Sequence, residues 1–173
     1  MPLILPVKGI TPKLDSSVWI AENATIVGEV VMGKNCTVWF QAVVRGDVNK
    51  IAIGNQVNIQ DGVVIHGTFQ KSATTIGNKV SIGHNATIHG CTIQDHVLIG
   101  MGAIVMDDAI IASHTIIAAG AVVLQNTITE PYSIYAGVPA KKVKTITKEE
   151  AEKMISKTAD NYIEYASWFK TED

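Results

Sequence analysis

The chain has 173 residues, 47% hydrophobic and 17% charged, which suits one ordered domain with a sizeable buried core and excludes a disordered chain. Its 14 basic and 16 acidic side chains leave a formal net charge of −2, and the short run Lys141, Lys142 and Lys144 cannot track a phosphate backbone, so nucleic acid is not an expected partner. Cys36 and Cys91 show no pairing pattern, no secretory h-region opens the chain, and no apolar stretch reaches the roughly 18 to 20 residues that cross a bilayer, so a cytoplasmic protein with reduced thiols and no membrane partner is expected.

Residues 1 to about 17 carry no repeat and are expected to cap one end of the domain. From Ile20 a branched or flexible aliphatic residue then recurs every six positions. These markers are Ile20, Ile26, Met32, Val38 and Val44; Ile53, Ile59 and Ile65; Ile76, Ile82 and Ile88; and Ile93, Ile99, Val105, Ile111, Ile117 and Val123. Six residues supply one short strand and one turn, so three hexads close a triangular coil whose markers point to the axis. Stacked coils bury one another's markers, and β-branched residues suit the flat inward surface. The phase gains three residues between Val44 and Ile53 and five between Ile65 and Ile76, and loses one between Ile88 and Ile93. The largest insertion, residues 67–75, is polar and is expected to protrude. After Val123 the pattern stops. Thr147 with Glu150 three residues later reads as a capping box, and Ala151, Met154, Ile155, Thr158, Tyr162, Tyr165, Ala166 and Phe169 fall near helical spacing. The expected organisation is an all-β, parallel β-helix domain with an N-terminal cap over residues 1–145, and a C-terminal α-helix over 146–173 that packs on the prism or on a neighbouring subunit.

The register also says which residues stack. Val44, Ile65 and Ile88 share one wall once the insertions are allowed for, so Arg45, His66 and His89 form an outward column with successive coils about 4.8 Å apart. Two imidazoles on adjacent coils can share one metal ion. Ile59 and Ile82 lie on the preceding wall, which sets Gln60 beneath Gly83 and Asp61 beneath His84. That third imidazole is round a corner, a long way for Zn–N bonds of about 2.0 to 2.1 Å. A neighbouring chain is therefore expected to supply it, in a cyclic homotrimer where His66 and His89 of one protomer meet His84 of the next.

The strings Arg45-Gly46-Asp47, Asn58-Ile59-Gln60-Asp61-Gly62-Val63-Val64-Ile65-His66 and Gly83-His84-Asn85-Ala86-Thr87-Ile88-His89 closely resemble the active-site strings of the γ-class carbonic anhydrases, within the left-handed β-helix, hexapeptide-repeat superfamily. The resemblance implies a left-handed coil and a homotrimer with metal at its interfaces. It further implies His66, His84 and His89 as ligands and Arg45 and Asp61 as an ion pair across the interface. It also implies hydration of CO2 to bicarbonate by hydroxide generated at the ion, Zn2+ or, since neutral imidazoles also accept them, Fe2+ or Co2+. Gln60 would orient that hydroxide, Asp47 and Arg45 would fix the polar surroundings, and Tyr162 resembles a family tyrosine that reaches into the site. Ala136-Gly137-Val138-Pro139-Ala140-Lys141 resembles the segment with which many members leave the prism.

Two departures from the family pattern bear on activity. The best-known members carry a glutamate after the aspartate of the Arg-Gly-Asp-like string, and further glutamates in the loop after the first ligand, thought to relay protons. Val48 stands at the first position, and residues 67–75 contain no acid. Slow hydration, none, or relay by another group is then expected. Two other readings therefore stay open. One is a hexapeptide-repeat acyltransferase or acyl-CoA thioesterase acting on an acyl thioester through a general-base histidine. The other is a non-catalytic trimeric subunit that keeps the metal as a staple. His96 and His114 read as corner residues, Trp19, Trp39 and Phe40 as packing or interface residues, and Cys36 and Cys91 as structural.

Overall fold

The computed structural model describes residues 1–169. Its markers form three columns of parallel strands. The first wall stacks Ile20 on Val38, Ile59, Ile82, Ile99 and Ile117. The second stacks Ile26 on Val44, Ile65, Ile88, Val105 and Val123. The third stacks Met32 on Ile53, Ile76, Ile93 and Ile111. This is the register the hexads predict, insertions included. Every marker is buried except Ile20, which is half-buried at the open end. Each marker points inward and the residue before it outward, while the residue two places before the marker, such as Ala24, Val30, Val63 or Ala86, is buried with it, so two positions per hexad fill the core.

The corners obey one backbone rule. Asn35, Gln56, Lys79, His96, His114 and Tyr132, each three places after a third-wall position, all adopt φ between 52° and 59°. That left-handed conformation suits Asn and His among non-glycine residues. The corner stacks His96 on His114 and His114 on Tyr132, with ring centroids 4.9 and 4.6 Å apart. His96 and His114 are thus parts of a turn ladder, as expected.

The first insertion is absorbed where strands Thr25–Met32 and Val43–Ile53 run round a corner together. Their pairing jumps from Gly28 and Gly46 to Val30 and Ile51, which pushes residues 47–50 out as a bulge. The second insertion protrudes only at its tip, Phe69 to Lys71. Ser72 and Thr74 are buried at its base, and Thr74–Ile76 is already strand. At the start, Leu3–Leu5 pairs with Thr25 to Val27 and Lys13–Leu14 with Val31 and Met32, so the residues expected to cap this end lie as strands in register with the first coil. At the other end the marker phase runs on through Thr129 and Tyr135, both buried, and Tyr135 pairs with Ile117. The aliphatic code ends at Val123 because the final coil has no coil above it: Tyr135 closes the core and its hydroxyl accepts from the Glu130 amide at 3.0 Å.

Strand Lys141–Thr145 then turns back antiparallel and exposed. The helix begins where expected, with Thr147 and Glu150 capping each other reciprocally. It runs along the first wall, its early turns resting Ala151 and Ile155 on Ile116 and Leu98 and its far end reaching Trp39 through Tyr162. A π-helical stretch, Glu152–Ser156, rotates the buried face. The buried residues are therefore Ala151, Ile155, Ala159 and Ala166, while Met154 and Phe169, expected on that face, are exposed.

Candidate metal centre

The second wall ends in His66 and His89, paired in register on adjacent coils. His66 Nδ1 lies 3.3 Å from His89 Nε2. Their other ring nitrogens meet carboxylates: His66 Nε2 is 3.0 Å from Asp47 Oδ1, and His89 Nδ1 is 2.9 Å from Asp107 Oδ2. When each outer N–H is donated to its carboxylate, each inner nitrogen carries a lone pair aimed at the other, an arrangement a shared cation satisfies. The spacing fits as well, because two donors bonded at about 2.0 to 2.1 Å to one tetrahedral ion stand about 3.3 to 3.4 Å apart.

The bulge at 47–50 is what brings Asp47 to His66, and Asp47 also pairs with Arg45. Burial works against ionisation of Asp47, but the hydrogen bonds from His66 and Arg45 outweigh it and hold its carboxyl below the ordinary range. Asp107 behaves alike: burial is outweighed by hydrogen bonds from Thr68 and His89.

His84 sits at the opposite edge of the second wall, at its corner with the first. Asp61, one coil away, takes its Nδ1 at 2.8 Å, and both side chains are about 40% exposed. From His84 to His89 the backbone crosses a whole wall, on the order of 15 Å. Among the described residues no three His, Cys, Asp or Glu side chains of one chain gather round a single metal position.

Gln60 is buried, its Nε2 donating to Asn58 Oδ1 at 3.0 Å and its Oε1 accepting from the His84 amide at 3.2 Å. Asn58 is fixed in turn by Ser81, at 2.7 Å. Tyr162 stands edge-on to Trp39, ring centroids 5.3 Å apart, and lines a hollow of about 310 Å³ with Asp61, His84, Trp39, Phe40, Tyr165 and Trp168. Burial and the Asp61 charge push its phenol up to about 12. Trp39, 7% exposed, is a packing residue whose indole N–H donates to Thr37. Cys36 and Cys91 are buried and unpaired.

The single chain thus brings Arg45, Asp47, His66 and His89 together at one edge, and Gln60, Asp61, His84 and Tyr162 at the other. Within the chain Arg45 and Asp61 each have a different partner, Asp47 and His84 respectively. Sequence reasoning passed over Asp107, Thr68 and Ser81. Asp107 had a signal, since it lies two places after Val105, on the coil next to His89; Thr68 had none, because it belongs to an insertion outside the repeat.

Residues 90–125 match the family model of the bacterial transferase hexapeptide, six repeats. Over nearly its whole length the chain is similar to a carbonic anhydrase of Geobacillus kaustophilus, 40% identical with 97% of this chain and 91% of that protein covered. A probable carbonic anhydrase of Methanocaldococcus jannaschii is 46% identical over 87% of this chain and 93% of its own. The mitochondrial gamma carbonic anhydrase 2 of Arabidopsis thaliana is 38% identical over 94% of this chain but 60% of its own. Among solved structures, a hexapeptide transferase family protein from Anaplasma phagocytophilum superposes with a TM-score of 0.92 at 39% identity, covering 97% of this chain and 98% of that one. A putative acetyltransferase from Bacillus cereus gives 0.91 at 36% identity, covering 97% and 96%. Likeness over nearly the full length, joined to the coil register and the paired histidines, shows that the chain belongs to the γ-class carbonic anhydrase-like family of left-handed β-helix, hexapeptide-repeat proteins.

Proposed function

We propose that the chain acts as a homotrimer in which His66 and His89 of one protomer and His84 of the next hold a divalent metal ion, zinc in the first instance with iron or cobalt as alternatives, and that the site hydrates CO2 reversibly to bicarbonate. The carrying observation is the His66 and His89 pair, inner nitrogens 3.3 Å apart and outer nitrogens on Asp47 and Asp107. A threefold rotation about an axis along the second wall sets the His84 edge of one chain against the His66 edge of the next. The outer face of that wall supports it: Val64 and Ile104 are 40% and 39% exposed, and Met106 and Leu124 flank them. Such a column of apolar side chains is an expected interface core.

A bound ion supplies Lewis acidity that makes hydroxide available near neutral pH; carbonic anhydrase is the standard example of that effect. The chain's own residues do the rest. Asp47, Asp107 and Asp61 each hold a ring nitrogen and so fix the three imidazoles. Gln60, with one amide hydrogen and one lone pair still unspent, orients the attacking oxygen. Arg45 holds Asp47 in place, is positioned at the edge where Asp61 of the next chain arrives, and forms the interface ion pair there. No carboxylate in this set is free to carry a proton away, Val48 is apolar, and the 67–75 segment has no acid. Proton export therefore falls to solution buffer.

A second reading is favoured by the aromatic hollow beside His84, which is larger than CO2 requires and accommodates an acyl group. In it the same site acts on an acyl thioester. Elemental analysis of anaerobically purified protein, followed by CO2 hydration and acyl-CoA hydrolysis assays on one sample, separates the two. Mixing His66→Ala chains with His84→Ala chains should restore intact sites in mixed trimers. If such trimers form but recover no metal, the shared site is wrong. Metal without either activity would leave the ion as an assembly staple.

A further inference from the structure

We propose that Asp107 is a positioning residue for the metal site, and that the segment 67–75 serves as a clamp on His89 through Asp107 and on the His66 strand through Thr74. This rests on His66, His84 and His89 being the ligands.

The carboxylate of Asp107 is divided between two partners. Its Oδ2 is 2.9 Å from His89 Nδ1, and its Oδ1 accepts from the Thr68 hydroxyl at 2.6 Å. With both oxygens engaged, the carboxylate cannot turn without breaking one contact. The imidazole is held in the tautomer that protonates Nδ1 and leaves Nε2 as the donor to an ion.

The same segment reaches the other ligand. Thr68 stands two residues after His66, and its carbonyl accepts from Asn49 on the bulge at 3.2 Å. Thr74 donates to the His66 carbonyl at 2.6 Å and accepts from the Gly90 amide, next to His89, at 3.0 Å. One hydroxyl thereby ties together the backbones of the two ligand strands. Gly90 makes room for this: at φ 56°, an added Cβ would stand 2.4 Å from Asp107 Oδ1 and 2.7 Å from Ser72 Cβ. Ser72 provides an internal comparison, because its hydroxyl donates to Asp108, at 2.8 Å, and touches no ligand. The segment without acids thus has a different employment: its hydroxyls set the geometry of the imidazoles.

The test measures zinc affinity by competition with a chelator, and the visible spectrum of the cobalt form, on the purified trimer. Asp107→Asn keeps the shape and can still meet Thr68, but loses the charge that fixes the imidazole. It should raise the zinc Kd about 10- to 100-fold and shift the cobalt bands. Thr68→Val should raise the Kd by less, up to about tenfold, since one of two constraints on the carboxylate survives. Ser72→Ala should stay within about twofold of wild type, whatever it does to thermal stability. If Asp107→Asn binds zinc as tightly as wild type with an unchanged cobalt spectrum, or if Ser72→Ala matches its loss of affinity, the positioning role is overturned while the metal site stands. A wild-type trimer that binds no metal overturns the ligand assignment and this inference together.

Discussion

Replacing Ile104 with lysine tests the assembly on which the site depends. Ile104 lies on the outer face of the second wall, one residue before Val105, and is 39% exposed in the single chain. Burying an isoleucine fully is worth about 1.5 to 3 kcal/mol, so drying the exposed fraction contributes about 0.6 to 1.2 kcal/mol per chain, or about 2 to 3.5 kcal/mol over three chains. That corresponds to a trimer dissociation constant raised about 25- to 300-fold, before any penalty for a desolvated ammonium is added. Val31→Lys is the control. It removes a side chain of like exposure, 41%, from the third wall, which faces away from the threefold axis in the proposed trimer. Sedimentation velocity over a concentration series, with metal content measured on each fraction, should show Ile104→Lys dissociating and losing metal while Val31→Lys does neither. An Ile104→Lys trimer as stable and as metal-rich as wild type would refute the placement of this wall at the interface.

Three further outcomes are expected from the same geometry. Thr147→Ala removes the reciprocal cap at the start of the helix and should cost about 1 kcal/mol, read as a lower Tm and faster amide exchange across 148–167 with the β-helix unaffected. Because its phenol is pushed up to about 12 by burial and by the Asp61 charge, Tyr162 stays protonated below about pH 11; Tyr162→Phe should therefore change the rate without altering the shape of the activity profile between about pH 6 and 9, and a lost inflection there would contradict it. Gly83→Ala places a Cβ 2.7 Å from the Met101 amide nitrogen and 2.9 Å from the Gly100 carbonyl carbon, so the coils beside His84 must part. About 1 to 3 kcal/mol of stability should be lost in chemical denaturation, with zinc released earlier in the transition than in wild type.

Much of the molecule is legible because a coil of fixed length turns sequence separation into spatial position. Counting hexads from Val44 to Ile65 to Ile88 puts His66 on His89, and counting from Ile59 to Ile82 puts Asp61 by His84; both pairs hold. The counting fails wherever a residue leaves the repeat. Asp47 reaches His66 only because a bulge carries it outward, and Thr68 meets Asp107 only because residues 67–75 fold back over the wall. The helix shows the same limit: its cap obeys a local rule and was readable, whereas its buried face was shifted by a π-helical stretch that spacing does not announce. Tyr135 and Thr129 keep the marker phase while breaking its composition, since an end coil has one neighbour to pack against instead of two.

By itself, then, the sequence determined the coil, its register and the candidate ligands, because each depends on the identity of residues a fixed number of positions apart. Tertiary structure alone decided which atoms of those ligands face each other and that Asp47 and Asp107 are the carboxylates that hold His66 and His89. The physical reason is that hydrogen-bond direction and the path of an insertion depend on contacts between segments distant in the chain, and no period in the sequence encodes those.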